Sequence, residues 1–201
     1  MVTLRLGRRS DRDLLRRGFE RLSPESRYRR FFTAKVDLSE AELDYLTDID
    51  QYDHVAIGAF EERPDGNEDG LGVARFVRDA NHPDAAEAAI AVVDDAQGLG
   101  LGSLLFQRLI AAARERGITR FCSYVLGTNR PMQEMLRELA GPSRSRVDDG
   151  VVYIETVLPD LGPEHPVSEP PRESPGYHLL RKAAEGLLQI ASLGTRGGRY
   201  G

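Results

Sequence analysis

Two features of this 201-residue sequence have the residue types and spacing to do chemistry. The first is the loop Gln97-Gly98-Leu99-Gly100-Leu101-Gly102-Ser103. Glycines let a backbone turn tightly and come close to a ligand. A helix starting at Leu101 adds free N–H groups and the positive end of its dipole. Together these make a pyrophosphate site that needs no lysine. The second is Glu87, a lone carboxylate heading the apolar run 87–93, Glu-Ala-Ala-Ile-Ala-Val-Val. Partial burial would raise its pKa toward the range of a useful base. Asp94 and Asp95, at the other end of that run, suit caps for the loop or helix. His54 and His82 are weaker candidates for a base, and His54 precedes an apolar strand where a histidine is more often packed. Cys122 alternates within a strand and reads as core. Arg75 could face a substrate carboxylate, but surface pairing is the expectation. No His, Cys or Asp cluster has metal-ligand spacing, so no metal is expected.

Other phosphate loops fit less well. A Walker loop requires Gly-Lys-Ser/Thr, and this loop has no lysine. A dinucleotide fingerprint requires Gly or Ala at position 103, which is Ser. It also requires an acidic residue near the end of the next strand, Val125-Leu126, where none stands.

The elements that must position these residues follow from periodicity. Residues 2–6 alternate weakly and predict a strand. Ser10 is expected to cap a helix running to about Leu22. Ser23-Pro24-Glu25 starts a second helix, and the box Ser39-Glu40-Ala41-Glu42 starts a third, to about Thr47. Residues 54–60 and 71–78 read as strands joined through the turn Pro64-Asp65-Gly66-Asn67. The run 87–93 is apolar throughout, as a strand buried on both faces should be. After the glycine loop, Leu101–Arg116 has apolar residues at helical spacing, and Gly117 ends it. Residues 118–126 predict a strand and 129–139 a helix. Arg144–Val147 and Val151–Val157 predict a hairpin around Asp148-Asp149-Gly150. The order is that of a mixed α/β sheet, antiparallel at first and parallel across the central crossover.

Gln97, Gly100 and Gly102 match the Gln/Arg-x-x-Gly-x-Gly/Ala signature of GNAT acyltransferases. Strand, loop, helix, strand and Asn129 follow in that family's order. Over about residues 2–158 the chain resembles this family. Within it, the chain resembles the catalytic domains of bacterial Pat-type protein-lysine acetyltransferases. Those domains carry patterns similar to Leu22-Ser23-Pro24-Glu25-Ser26-Arg27-Tyr28, Arg30-Phe31-Phe32, Ala86-Glu87, Asp94-x-x-Gln97-Gly98 and Asn129-x-Pro131-Met132. The resemblance implies a GNAT fold: a central mixed sheet of six to seven strands, flanked by helices, with its central parallel strands splayed. It implies acetyl-CoA as cosubstrate, its pyrophosphate held by Gln97, Gly98, Leu99, Gly100, Leu101, Gly102 and Ser103. Backbone N–H groups of Val92 and Val93, freed by the splay, would face the acyl carbonyl as an oxyanion hole. Asn129 and Met132 would meet the CoA arm, although Asn129 also suits a plain helix cap. Glu87 would be the base. The acceptor would be a protein lysine, or else a small amine or amino-acid derivative.

Two departures bear on activity. Many members place a tyrosine seven residues after the asparagine, as acid toward the leaving thiolate; here Leu136 stands there. The Gly-Phe that usually ends that helix is replaced by Ala140-Gly141-Pro142. A non-catalytic acyl-CoA sensor is therefore the alternative of another class.

A net charge of −5 argues against general nucleic-acid affinity. The basic stretch from Arg8 to Arg30 reads as a solvated helix face, or as a patch for an acidic partner or phosphates. No run approaches about 18 apolar residues, so no membrane helix is expected. The N-terminus lacks an apolar h-region, and the single cysteine cannot form an internal disulfide. A cytoplasmic location is expected. Six of the eleven prolines fall between Pro159 and Pro175. The organisation expected is therefore an acyltransferase domain over 1–158, a Pro-rich linker over 159–176, and an amphipathic helix with tail over 177–201. A lone helix cannot bury its apolar stripe in water, so the last segment should dock on its own core or on a second subunit, with a homodimer favoured.

Overall fold

The computed structural model describes residues 2–159. Seven strands form one sheet: β1 (Val2–Leu6), β2 (His54–Glu62), β3 (Glu68–Arg78), β4 (Ala85–Val92), β5 (Arg120–Leu126), β6 (Ser143–Asp148) and β7 (Val151–Val157). Their spatial order is β1-β2-β3-β4-β5-β7-β6. Every neighbouring pair is antiparallel except β4 and β5. Five α-helices are described: α1 (Arg12–Glu20), α2 (Pro24–Phe31), α3 (Glu40–Thr47), α4 (Leu101–Glu115) and α5 (Arg130–Leu139). This is the mixed sheet that the sequence predicts. The Pro-rich linker beyond Pro159 and the helix expected over 177–201 lie outside the described residues. Among the described residues, no helix is long and apolar enough to cross a membrane.

Local chemistry sets the helix starts. Ser39 Oγ accepts from the Glu42 amide while the Glu42 carboxylate accepts from the Ser39 amide, the reciprocal box read from the sequence. Ser23 caps α2, with Pro24 in the first turn. Ser10 does not cap α1. It sits in a 3-10 turn, Arg9–Asp11, and the Asp11 carboxylate is drawn to Arg5 and the Arg8 amide instead.

The two faces of the sheet are built differently. One face is apolar. Leu105, Phe106, Leu109, Ile110 and Ala113 of α4 bury against Val55, Ile57, Ala74, Phe76, Ala86, Ala88 and Phe121. Each fully buried large side chain here is worth about 1.5–3 kcal/mol. On the other face, α1–α3 share a second apolar cluster of Phe19, Leu22, Leu38 and Leu43, and α1 lies against β3. Opposite them, the strand register aligns His54, Ala56 and Gly58 of β2, Arg75 and Val77 of β3, and Glu87, Ala89 and Ala91 of β4. The small residues leave a cavity of about 110 Å³ between the helices and the sheet. Polar chemistry is thus collected on this face.

Candidate active site

The site is built where β4 and β5 part. Their pairing runs only from Ala85–Arg120 to Glu87–Cys122, while β5 stays with β7 to Leu126. Ser123 Oγ donates to the Ala88 carbonyl across the apex of the resulting notch, at 3.1 Å. The Val93 amide donates to the Leu71 carbonyl at 2.9 Å. It therefore points to β3, and it is not the free donor the sequence reading expects. Backbone polarity alternates along a strand, so the amides of Ile90 and Val92 are the ones turned toward the notch. The Val92 carbonyl is on that side and accepts from Gln97 Nε2 at 2.9 Å.

The glycine loop follows directly. Gly98 and Gly100 have φ of +74° and +78°, a region that side chains with a Cβ rarely adopt. No neighbour stands within 4 Å of where either Cβ would be, so conformation and open approach, not crowding, call for glycine. Gly100 is the N-cap of α4, and no side chain caps the helix. The first intrahelical bond is from Leu104 to the Gly100 carbonyl, which leaves the amides of Leu101, Gly102 and Ser103 without helical acceptors. These groups and the helix dipole fit a pyrophosphate. Leu99 is exposed at the loop tip. The Gln97 side chain does not aim at a ligand: besides Val92, it donates to Ser26 Oγ at 3.2 Å.

Gln97 is one strand of a larger joint. Asp94 accepts from the Ser23 amide at 2.7 Å, from Ser23 Oγ at 2.8 Å and from Ser26 Oγ at 2.8 Å. Asp95 pairs with Arg21 at 2.7 Å. The Ser23-Pro24-Glu25-Ser26 and Asp94-x-x-Gln97 patterns, distant in sequence, are two halves of one contact. Partial burial pushes the Asp94 carboxyl up, but the bonds from Ser23 and Ser26 outweigh it and hold it below the usual range. An ionised, fully engaged Asp94 is a poor base.

At the far side, Asn129 Oδ1 accepts from the Met132 amide at 3.4 Å and caps α5. Met132 packs against the apolar core, as does the neighbouring Met135. Leu136 is 0% exposed within that core, so the position where many relatives carry tyrosine is filled here by packing.

Glu87 sits on the polar face at the apex of the notch. Burial pushes its carboxyl up to about 7, and the positive charge of Arg30 only partly opposes this. Its electrostatic neighbours also include Tyr45 of α3 and Tyr124 of β5. His54 is buried, its ring 5.0 Å from that of Tyr45. Because an arginine only donates, His54 Nε2 accepts from Arg75 at 3.3 Å. Burial, then the Arg75 charge, lower the His54 pKa to about 3, too weak for a base at neutral pH. His82 is distant from this cluster, on an exposed turn beside Asp79. Arg75 is not a surface residue: it is 6% exposed. Cys122 is not in the apolar core: it lies on the Glu87 face, half-buried, and accepts from the Tyr153 hydroxyl at 3.0 Å. Tyr45 and Tyr124 were not singled out by sequence, and Arg30 only within the basic stretch and the pattern Arg30-Phe31-Phe32, since their roles depend on α2, α3 and β5 converging. Among the described residues, no group of three or more His, Cys, Asp or Glu could hold a metal.

Comparison with known proteins gives consistent matches. Residues 13–141 match the model of the acetyltransferase (GNAT) family. The chain is 34% identical over 170 residues to the acetyltransferase Pat of Mycolicibacterium smegmatis, covering 85% of this chain but 48% of that protein. It thus spans about half the length of that relative. It is 33% identical over 153 residues to the acetyltransferase PA5475 of Pseudomonas aeruginosa, covering 76% of this chain and 81% of that one. The crystal structure of the GNAT domain of S. lividans PAT superposes with a TM-score of 0.70 at 32% identity, over 78% of this chain and 90% of that one.

Proposed function

The chain belongs to the acetyltransferase (GNAT) family, and from that premise we propose that it transfers an acetyl group from acetyl-CoA to an amine, with Glu87 as the base. One observation carries the reading. A carboxyl whose pKa is raised to about 7 stands at the residue where β4 and β5 part, beside outward-turned amides. A lysine-type amine has a pKa of about 10.4, so most of it arrives as ammonium and must lose a proton before it attacks. A carboxylate with a pKa near neutrality can take that proton, directly or through one water.

The residues of the notch and the glycine loop fit acetyl-CoA. The uncapped amides from Leu101 to Ser103, with Gly98 and Gly100, would hold the pyrophosphate. Asn129 and Met132 would flank the arm, and the amides of Ile90 and Val92 would oppose negative charge on the acyl oxygen. When bound, acetyl-CoA supplies an activated acyl group and a fair thiolate leaving group, which makes a protonating residue at position 136 dispensable. Gln97 would act indirectly, by bracing the loop. A protein lysine is the proposed acceptor. The likeness to Pat-type domains supports it. So does the flank of Glu87 over β5, where Tyr124 is 48% exposed and could meet a large partner.

The test is CoA release by the full chain with acetyl-CoA and a panel of proteins, peptides and small amines. Release that depends on an added amine supports the proposal. Tight acetyl-CoA binding with no release from any acceptor would replace it with a sensor.

A further inference from the structure

We propose that Arg30 and Arg75 form a receiving site for a short aliphatic carboxylate, carried by the acceptor amine or by the acyl group of the thioester. The proposal deepens the acyltransferase reading and rests on it for the identity of the carrier; a carboxylate on the acceptor would make that acceptor a small amine in place of a protein lysine.

Charged side chains taken out of water are normally paired. Two other inward-lying arginines follow that rule: Arg5 pairs with Asp11 and Glu68, and Arg78 with Asp53, while Arg27 bonds only the Leu22, Val36 and Glu20 carbonyls. Arg75 does not follow it either. It has five N–H donors, and its hydrogen bonds go to two neutral acceptors, His54 Nε2 at 3.3 Å and the Leu46 carbonyl at 3.3 Å. It has no carboxylate partner among the described residues, although it is 6% exposed. Arg30 likewise forms no ion pair among the described residues; its guanidinium lies 5.1 Å from the Phe31 ring centre. Burial lowers the pKa of both, and the charge of Arg30 contributes to the lowering of Arg75 to about 10. Two like charges therefore share this space, with only the partly ionised Glu87 acting on Arg30 and no described carboxylate paired to Arg75, and an anion between them would relieve both.

The space for it exists. Arg30 and Arg75 both line the 110 Å³ cavity, whose walls are otherwise mainly apolar, including Phe31, Leu46, Ala56 and Ala91. A dry cavity of about 150 Å³ holds benzene, so this one seats roughly four non-hydrogen atoms. That is a carboxylate on a short stem. Its position also suits the reaction. Arg75 pairs across the sheet with Ala89, two residues from Glu87, which sets the Arg75 and Glu87 backbones about 7–8 Å apart. Glu87 does not itself line the cavity, so the carrier would seat only its carboxylate there and extend its reacting end toward Glu87.

The experiment measures binding to the full chain and does not require turnover. One arm titrates succinyl-CoA against butyryl-CoA, which exchange a carboxylate for a methyl at the acyl terminus. The other titrates N-acetylglycine, N-acetylalanine and N-acetyl-β-alanine against their carboxamides, with and without CoA. A preference for the acid of roughly tenfold or more is expected in one arm, and the arm identifies the carrier. Arg30→Gln should abolish that preference while leaving acetyl-CoA affinity unchanged. Arg75→Lys, measured alongside with melting temperatures, keeps a charge at the buried site should a neutral variant fail to fold. Equal affinity for acid and neutral forms in both arms overturns the proposal, as does a preference that survives both variants. If neither thioester binds, the acetyl-CoA reading falls, and the acid–carboxamide arm without CoA still decides this one.

Discussion

Glu87 and Cys122 are the last residues at which β4 and β5 pair. The strands part immediately beyond them, so the carboxyl and the notch come from one event in the sheet. The same register turns Glu87 toward α2 and α3, away from the apolar face on which Ala86 and Ala88 meet α4.

Glu87→Gln keeps size and shape but cannot take a proton. Turnover with a verified acceptor should fall by roughly 10²–10⁴-fold, with acetyl-CoA affinity unchanged. Wild-type activity should rise with pH through about 7, as Glu87 deprotonates, and the variant should lack that inflection. The deficit should shrink at high pH, where more amine arrives unprotonated. Wild-type turnover in the variant at pH 7 would rule Glu87 out.

Glu87 and His54 should impose opposite pH dependences on stability. The folded pKa of Glu87 is raised from 4.5 to about 7, so its contribution is fully present below 4.5 and is lost as pH rises through 7. That of His54 is depressed from 6.5 to about 3, so its contribution is present above 6.5 and is lost as pH falls through 3. Between about 4.5 and 6.5 the two nearly cancel. Denaturant titrations of Glu87→Gln should uncover stability that rises with pH across that window. His54→Asn should uncover the reverse. At pH 8 the Glu87→Gln variant should be more stable than wild type by up to roughly 3 kcal/mol. Unchanged slopes in both variants would refute the assignment.

Gly100 separates conformation from space. Gly100→Ala forces a Cβ onto a φ of +78° but meets no atom within 4 Å, so it should cost about 1–2 kcal/mol of stability. Gly100→Val adds bulk where the pyrophosphate is proposed and should abolish acetyl-CoA binding in a protein that still folds. Calorimetry on both variants checks this; equal affinities would remove the loop from the binding site.

Asp94→Ala deletes the acceptor for Ser23 and Ser26. The expected loss is about 1–2 kcal/mol, in the range of a removed cap. Acetyl-CoA affinity should fall as well, although Asp94 is not proposed to touch the ligand. A melting temperature and affinity both equal to wild type would show that the joint is ornamental.

Most element boundaries and the loop were legible because they rest on local chemistry. The Ser39–Glu42 box, Pro24 after Ser23, Gly117 after α4 and the apolar run of β4 each announce themselves within a few residues. Glu87 was legible as the one carboxylate in that run. Asn129 was legible only as a cap. What failed was non-local. Val93 belongs to the apolar run, but which amides face β5 depends on the β3 register. The loop pattern also does not reveal that the Gln97 side chain bridges to the Val92 carbonyl and Ser26. Arg75 looks like any strand arginine until Leu46 and His54 close over it. Arg30 lies within a stretch of arginines that reads as a solvated face, and only the packing of α2 on the sheet sets it apart.

The Asp94–Ser23 joint has a consequence for coupling between ligands. α2 is eight residues long, with Ser23 at its head and Arg30 near its tail. Its head is fastened to the turn that leads into the glycine loop. A ligand that tightens the loop therefore tightens the helix that carries Arg30 toward Glu87. Under the proposed function, a ligand held at the glycine loop and one held near Arg30 would then sense each other through α2 without touching, and occupancy of the loop should change affinity at the arginine end.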